Sequence, residues 1–153
     1  MEKKSLKSVL ENQAFFKGLQ EPYLELLAGC AANARFSAGQ FLFREGENAD
    51  RFYLIRQGQV AVEIPTAARD VIVQTLGVNE ILGWSWIIPP YRWHMAARAM
   101  DTVLALSFDG KCLRGKFEKD PTLGYEFHKR FSLIMSQRLE ETLLQLLGIC
   151  GKV

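Results

Sequence analysis

Between residues 34 and 109 no regular segment runs longer than about one short strand. The apolar and β-branched stretches are Ala34–Phe36, Gln40–Phe43, Phe52–Arg56, Gln59–Ile64, Val71–Leu76, Ile81–Leu82, His94–Ala99 and Thr102–Phe108. Gly39, Gly46, Gly58 and Gly77 fall between them. Gln59–Ile64 alternates with period two, the mark of a strand with one buried face. Many short strands at regular turns predict a barrel, roll or sandwich. Gln57-Gly58 predicts a tight hairpin, and a second strand pair is expected to meet around Met100-Asp101.

Both ends of the chain read as helix. Ser5 to Phe16 carries Leu6, Val9, Leu10 and Ala14 at helical spacing, and Gly18 ends it. Pro22 opens a second helix in its first turn. Asp109 is placed to cap a helix over Lys111–Lys119, and Asp120-Pro121 starts another. From there Phe127, Phe131, Met135, Leu139, Leu143 and Leu147 recur every four residues. Glu126 and Arg130 are spaced to pair one turn apart. The last helix reaches about 28 residues, or roughly 42 Å.

Composition excludes several classes. The chain has 153 residues, 48% hydrophobic and 24% charged, which suits one globular core. No apolar run approaches the roughly 18 residues of a membrane span, and Met1–Leu6 lacks a secretory apolar run. The expectation is a cytoplasmic protein. Net charge is +2, with residues 21–110 mildly acidic and residues 111–153 mildly basic. That is no footprint for nucleic acid. Cys30, Cys112 and Cys150 are scattered, which predicts reduced thiols. With only His94 and His128, no metal site is expected. No nucleophile–base pair, paired carboxylates or P-loop appears, so no catalytic residue is assigned and no enzyme is expected.

Three motifs in this order resemble the cyclic nucleotide-binding domain, and within it the bacterial Crp/Fnr-type regulators. They are Phe15-Phe16-Lys17-Gly18-Leu19, Gly39-Gln-Phe-Leu-Phe-Arg-Glu-Gly46, and Asp50-Arg-Phe-Tyr-Leu-Ile-Arg-Gln-Gly58-Gln-Val-Ala-Val62. The resemblance covers essentially the whole chain. It implies a mainly β fold with α: an antiparallel β-roll of jelly-roll type, flanked by N-terminal helices and a long C-terminal helix. The expected organisation is one domain: 1–33 helical lead, 34–109 roll, 110–150 C-terminal helices. In the family the long helix pairs with its copy. Phe127, Phe131, Met135, Leu139 and Leu143 are therefore the expected homodimer stripe, with Cys150 a weaker candidate for an intermolecular bond.

The family's ligand residues are where this chain departs. The phosphate cassette usually reads G-E-[LI]-A, with an arginine further on. The resemblance implies that the glutamate holds the ribose and the arginine the cyclic phosphate. Here Gly83 keeps the glycine and Trp84 stands in the glutamate slot. Aligning Arg98-Ala99 puts Trp93 in the arginine slot and His94 beside it, with Arg92 one residue off.

Ordinary cAMP binding is therefore not expected, because an unpaired phosphate in an apolar pocket is heavily penalised. The candidate site is Gly83, Trp84, Ser85, Trp86, Arg92, Trp93 and His94. No cofactor is indicated; a small anionic or nucleotide-like ligand fits the residue types. A stand-alone regulatory, ligand-sensing domain is the leading expectation, with Gly148–Val153 read as a natural chain end. One alternative is the effector domain of a Crp/Fnr-type transcription regulator whose DNA-binding domain lies outside this chain. The other is an interaction module whose pocket is plugged by its own indoles.

Overall fold

The computed structural model describes residues 2–149, with side-chain surroundings for 6–148. Cys150 lies outside the described residues. Helix α1 is Glu2–Glu11, followed by a single 3-10 turn, Ala14–Phe16, and α2, Glu21–Gly29. Eight strands follow: β1 Ala31–Phe36, β2 Phe41–Phe43, β3 Arg51–Gln57, β4 Val60–Pro65, β5 Asp70–Leu76, β6 Ile81–Leu82, β7 Ala96–Ala99 and β8 Val103–Asp109. A second 3-10 turn, Ser85–Ile87, lies between β6 and β7; α3, Gly110–Lys119, and α4, Pro121–Ile149, complete the order.

The strands form two four-stranded antiparallel sheets, ordered β1-β8-β3-β6 and β2-β7-β4-β5. This is the antiparallel roll with flanking helices that the resemblance implies. β3 is apolar without alternation because both its faces are covered. Phe52 stacks on Phe108 of β8 at 4.5 Å and meets the helices, while Tyr53 stands on the other face, near Phe43 and Trp93.

The tight hairpin expected at Gln57-Gly58 is not a hairpin, and the strand pair expected to meet around Met100-Asp101 is split between the two sheets. Each turn carries the chain from one sheet to the other, since β3 and β8 share a sheet and β4 and β7 share the second. The two corners brace each other. The Gln59 N–H donates to Asp101 Oδ1 at 2.8 Å, and the Met100 N–H to the Gln59 carbonyl at 2.9 Å. Gly58 has φ +87°, and a Cβ there would lie 2.3 Å from the Thr102 carbonyl oxygen. Only glycine supplies both the left-handed turn and the close approach.

Three boundaries shift. The first helix stops at Glu11, because Gln13 adopts extended φ/ψ. The break turns Phe15 and Phe16 separately into the core, against Phe131 at 5.1 Å and Phe108 at 5.7 Å. β1 begins at Ala31, inside the expected helical lead, and β7 begins at Ala96, leaving Trp93 and His94 in a loop. The caps are as expected: Asp109 Oδ1 accepts from Cys112 N at 2.9 Å and Asp120 Oδ1 from Leu123 N at 3.2 Å. Arg130 pairs with Glu126 at 3.5 Å and also donates to the Phe15 carbonyl at 2.6 Å, tying α4 to the N-terminal turn.

The dimer stripe divides. Phe127 and Phe131 are completely buried within the chain and cannot face a partner. They pack on Phe52, Trp86 and Phe15. Met135 is half-buried, while Leu139 and Leu143 are 60% and 51% exposed. A four-residue repeat precesses by about 40° per step on a 3.6-residue helix. Over the span from Phe127 to Leu147 it therefore crosses from core to solvent. The buried stripe instead runs Leu123, Phe127, Phe131, Ile134, Arg138.

Candidate functional site

A cavity of about 290 Å³ opens inside the roll. Phe43, Val62, Gln74 and Leu82 from the strands, with Met95 beside β7, give it apolar walls and one amide. Gly83, Trp84 and Ser85 close one side, Trp93 and His94 another, and Arg138 reaches in from α4.

Trp93 is built into the wall. Its ring stacks on Phe43 with centroids 3.6 Å apart and planes 7° apart. It also lies against Gly83, where a Cβ would come 2.7 Å from Trp93 Cη2 and where φ is +98°. The cassette glycine thus serves both the turn and the indole. Trp84 is half-buried and leads into the 3-10 turn. Ser85 is buried at the cavity edge; His94 is exposed at its mouth. Ser85–Ile87 form a single 3-10 turn of three residues, too short to present a helical array of N–H groups.

Trp86 does not line the cavity. It is fully buried on the far side, stacked on Phe52 at 4.9 Å and edge-on to Phe131 at 5.3 Å. Gly110 opens α3 beneath it; a Cβ there would lie 2.8 Å from the ring. The indole N–H has no acceptor, so this residue contributes packing and leaves one donor unsatisfied. Arg114 of α3 fixes the same turn. It donates to the carbonyls of Trp86 at 2.7 Å and Ala49 at 3.1 Å, and to Asp50 Oδ1 at 2.9 Å.

Arg92 also points elsewhere. It is exposed, and its Nη1 donates to the Gly46 carbonyl at 2.9 Å. Its backbone pairs with Asn48, so the residue belongs to the strand-edge loop and not to the cavity. Arg98 is paired with the buried Glu63 at 2.5 Å, as a sheet-face arginine.

The cavity's cation is Arg138, which the sequence reading missed. It is only 8% exposed and donates to the Ile81 carbonyl. Its guanidinium sits 5.7 Å over the Trp84 ring. Burial lowers its pKa, opposed by the fields of Glu80 and Glu141. Among the described residues no ion pair includes it. A guanidinium has five donors, so Arg138 retains capacity for an anionic group. One signal could have found it: an arginine occupying the buried stripe of α4, four residues after Ile134.

The comparisons agree with this architecture. The family model described as "Cyclic nucleotide-binding domain" matches residues 34–120, and the chain belongs to that family. A CRP-like cAMP-activated global transcriptional regulator of Mycobacterium tuberculosis is 24% identical over 135 residues, covering 88% of this chain and 58% of that protein. A cGMP-dependent protein kinase of Plasmodium berghei is 29% identical over 77 residues, 50% of this chain and 8% of the kinase. The chain therefore spans less than two thirds of either relative. Among solved structures, a Geobacter metallireducens protein named for cyclic nucleotide binding superposes with TM-score 0.78 at 24% identity, covering 91% of this chain and 98% of that one. The sensor domain of the transcriptional regulator DNR from Pseudomonas aeruginosa gives TM-score 0.73 at 19% identity, covering 92% and 96%. No helix among the described residues is long and apolar enough to cross a membrane.

Proposed function

We propose that this chain is a non-catalytic, ligand-sensing regulatory domain whose roll cavity holds a small aromatic or apolar molecule by one anionic group. The observation that carries this reading is Arg138, a buried guanidinium on the wall of a largely apolar cavity, beside Trp84 and Trp93. The anion pairs with Arg138, and the apolar body lies among Phe43, Val62, Leu82 and the two indoles. cAMP is not the ligand in the family's usual manner, because Trp84 and Trp93 occupy the slots of the ribose carboxylate and phosphate arginine.

Ligand arrival is reported through α4. Arg138 sits on that helix, so a bound anion biases its position relative to the roll. Beyond Arg138 the exposed Leu139, Leu143 and Leu146 follow four- and three-residue steps. That heptad-like seam suits pairing with a second copy. The whole chain acts as one cytoplasmic domain and by itself binds no nucleic acid. A second reading rests on the 58% coverage of the CRP-like regulator: the domain is the effector part of a longer transcription regulator.

The test is intrinsic fluorescence and calorimetry with a panel of aromatic and aliphatic carboxylates, phosphates and sulfonates. A hit shifts Trp emission in the wild type and loses about 10-fold to 100-fold affinity in Arg138→Met, the loss of one charge-assisted bond. A panel with no fluorescence or thermal response rejects the sensor reading and favours a pocket plugged by its own tryptophans.

A further inference from the structure

Cys30 and Cys112 are 82 positions apart in the chain, yet their sulfurs lie 3.8 Å apart, with Cys30 Sγ donating to Cys112 Sγ. The backbone holds them there. Cys30 ends α2, and its carbonyl accepts from Asp109 N at 3.0 Å. Asp109 in turn caps α3 by accepting from Cys112 N at 2.9 Å. Two hydrogen bonds through one residue therefore fix both cysteines relative to each other. A disulfide needs sulfurs about 2.05 Å apart, so each must move by less than about 1 Å. The two differ in access: Cys112 is exposed and Cys30 half-buried.

We propose that Cys30 and Cys112 form a reversible oxidisable dithiol, a modification site that closes to an intramolecular disulfide on reaction with a peroxide. Cys112 reacts first because it is the exposed sulfur. It takes one peroxide oxygen as the O–O bond breaks, giving a sulfenic acid and one water. Cys30 sulfur then attacks the Cys112 sulfur. The S–S bond forms, the S–O bond breaks, and the departing hydroxide takes the Cys30 proton to leave as the second water. Two thiols are oxidised by two electrons, and one peroxide is reduced. Burial first, then the hydrogen bond to Cys112, push the Cys30 thiol up to about 11, against the field of Lys116. A thiol kept protonated is a poor first nucleophile, which leaves the first step to Cys112, and in the second step the Cys30 proton must be lost as its sulfur attacks.

The bond would tie the α2–β1 junction to the first turn of α3. Through Arg114, α3 grips the Trp86 turn and Asp50. Oxidation therefore clamps α3 and the cassette turn in the arrangement seen here, independently of any ligand.

The experiment uses the full chain with Cys150→Ser, which leaves only Cys30 and Cys112 of the three cysteines. One equivalent of hydrogen peroxide should abolish both free thiols, and dithiothreitol should restore them. Non-reducing peptide mapping should show the Cys30 and Cys112 peptides joined within one chain, lighter by two hydrogens. With Cys30→Ser added, dimedone should label Cys112 as a stable sulfenic acid. Amide exchange in the first turn of α3 should slow on oxidation. Independent over-oxidation of each sulfur, or cross-links only between chains, would overturn the dithiol. Unchanged exchange in α3 after closure would overturn the clamp.

Discussion

Trp86 and Trp93 are separated by six residues, and the fold sends them into two different interiors. Trp86 enters the aromatic block between the β3–β8 face and the helices, with Phe52, Phe127 and Phe131 around it. Trp93 enters the roll, stacked on Phe43 at the cavity wall. One helix, α4, serves both rooms. It gives Phe127 and Phe131 to the block and Arg138 to the cavity, and its exposed leucines to neither. The same residue type is buried packing in one room and part of a cavity wall in the other.

The sharpest way to break this comparison is nucleotide binding. If the cavity room lacks both polar anchors, cAMP should lose two charge-assisted bonds, about 1.5–3 kcal/mol each, or about two to four decades of affinity. Calorimetry at micromolar cAMP should show no heat. Clear micromolar binding would mean that Arg138 or Arg92 has taken over the phosphate.

Next comes the packing room. Trp86→Ala should destabilise the chain by about 3–5 kcal/mol, the range for deleting a fully buried aromatic. Chemical denaturation measures it. Trp84→Ala, at a half-buried site, should cost clearly less but weaken any carboxylate response. Equal stability losses for the two variants would erase the distinction between the rooms.

Much of the architecture was legible because it is written in local chemistry. The strands, the caps at Asp109 and Asp120, and the glycine motifs around Gly39–Gly58 each depend on neighbours in sequence. The hairpin reading of Gln57-Gly58 failed because a turn residue reports positive φ and not which sheet the next strand joins. In the fold that corner is braced by Asp101 and packed against Thr102, over forty residues away. The site was half legible. Gly83, Trp84, Ser85, Trp93 and His94 come together at the cavity, while Trp86 and Arg92 do not. Aromatic type alone does not say which interior an indole enters. Arg138 was hidden because the stripe was followed every four residues, and that path leaves the buried face after Phe131. The dithiol was hidden because proximity of Cys30 to Cys112 is created by the β1–β8 ladder, which pairs Ala31 with Phe108.

The third test separates the halves of α4. Leu139→Glu lies on the exposed part, so chemical stability of the protomer should change by no more than about 0.5 kcal/mol. If the exposed leucines form the seam, the variant should sediment as a monomer where the wild type is a dimer. A wild type that is monomeric at high concentration ends the dimer proposal. Phe131→Ala should do the opposite, costing about 3–5 kcal/mol through the core.

The smallest expected effect is at Arg92, and it tests the placement of the cavity's charge. From sequence, Arg92 is the nearest basic residue to the missing phosphate arginine, and its removal would be expected to weaken ligand response. In the fold its guanidinium is exposed and spent on the Gly46 carbonyl at 2.9 Å, on the rim loop outside the cavity lining. An exposed hydrogen bond of this kind is worth about 0.5–1.5 kcal/mol at most. Arg92→Ala should therefore lower stability slightly and leave the affinity of any carboxylate ligand within about twofold. Arg138→Met should instead lose about 10-fold to 100-fold affinity for such a ligand, since Arg138 lines the cavity. If instead Arg92→Ala abolishes the fluorescence response and Arg138→Met leaves it intact, the loop from Pro90 to His94 must reorganise on binding. The anion would then be held from the rim and not from α4, and the long helix would lose its part in sensing.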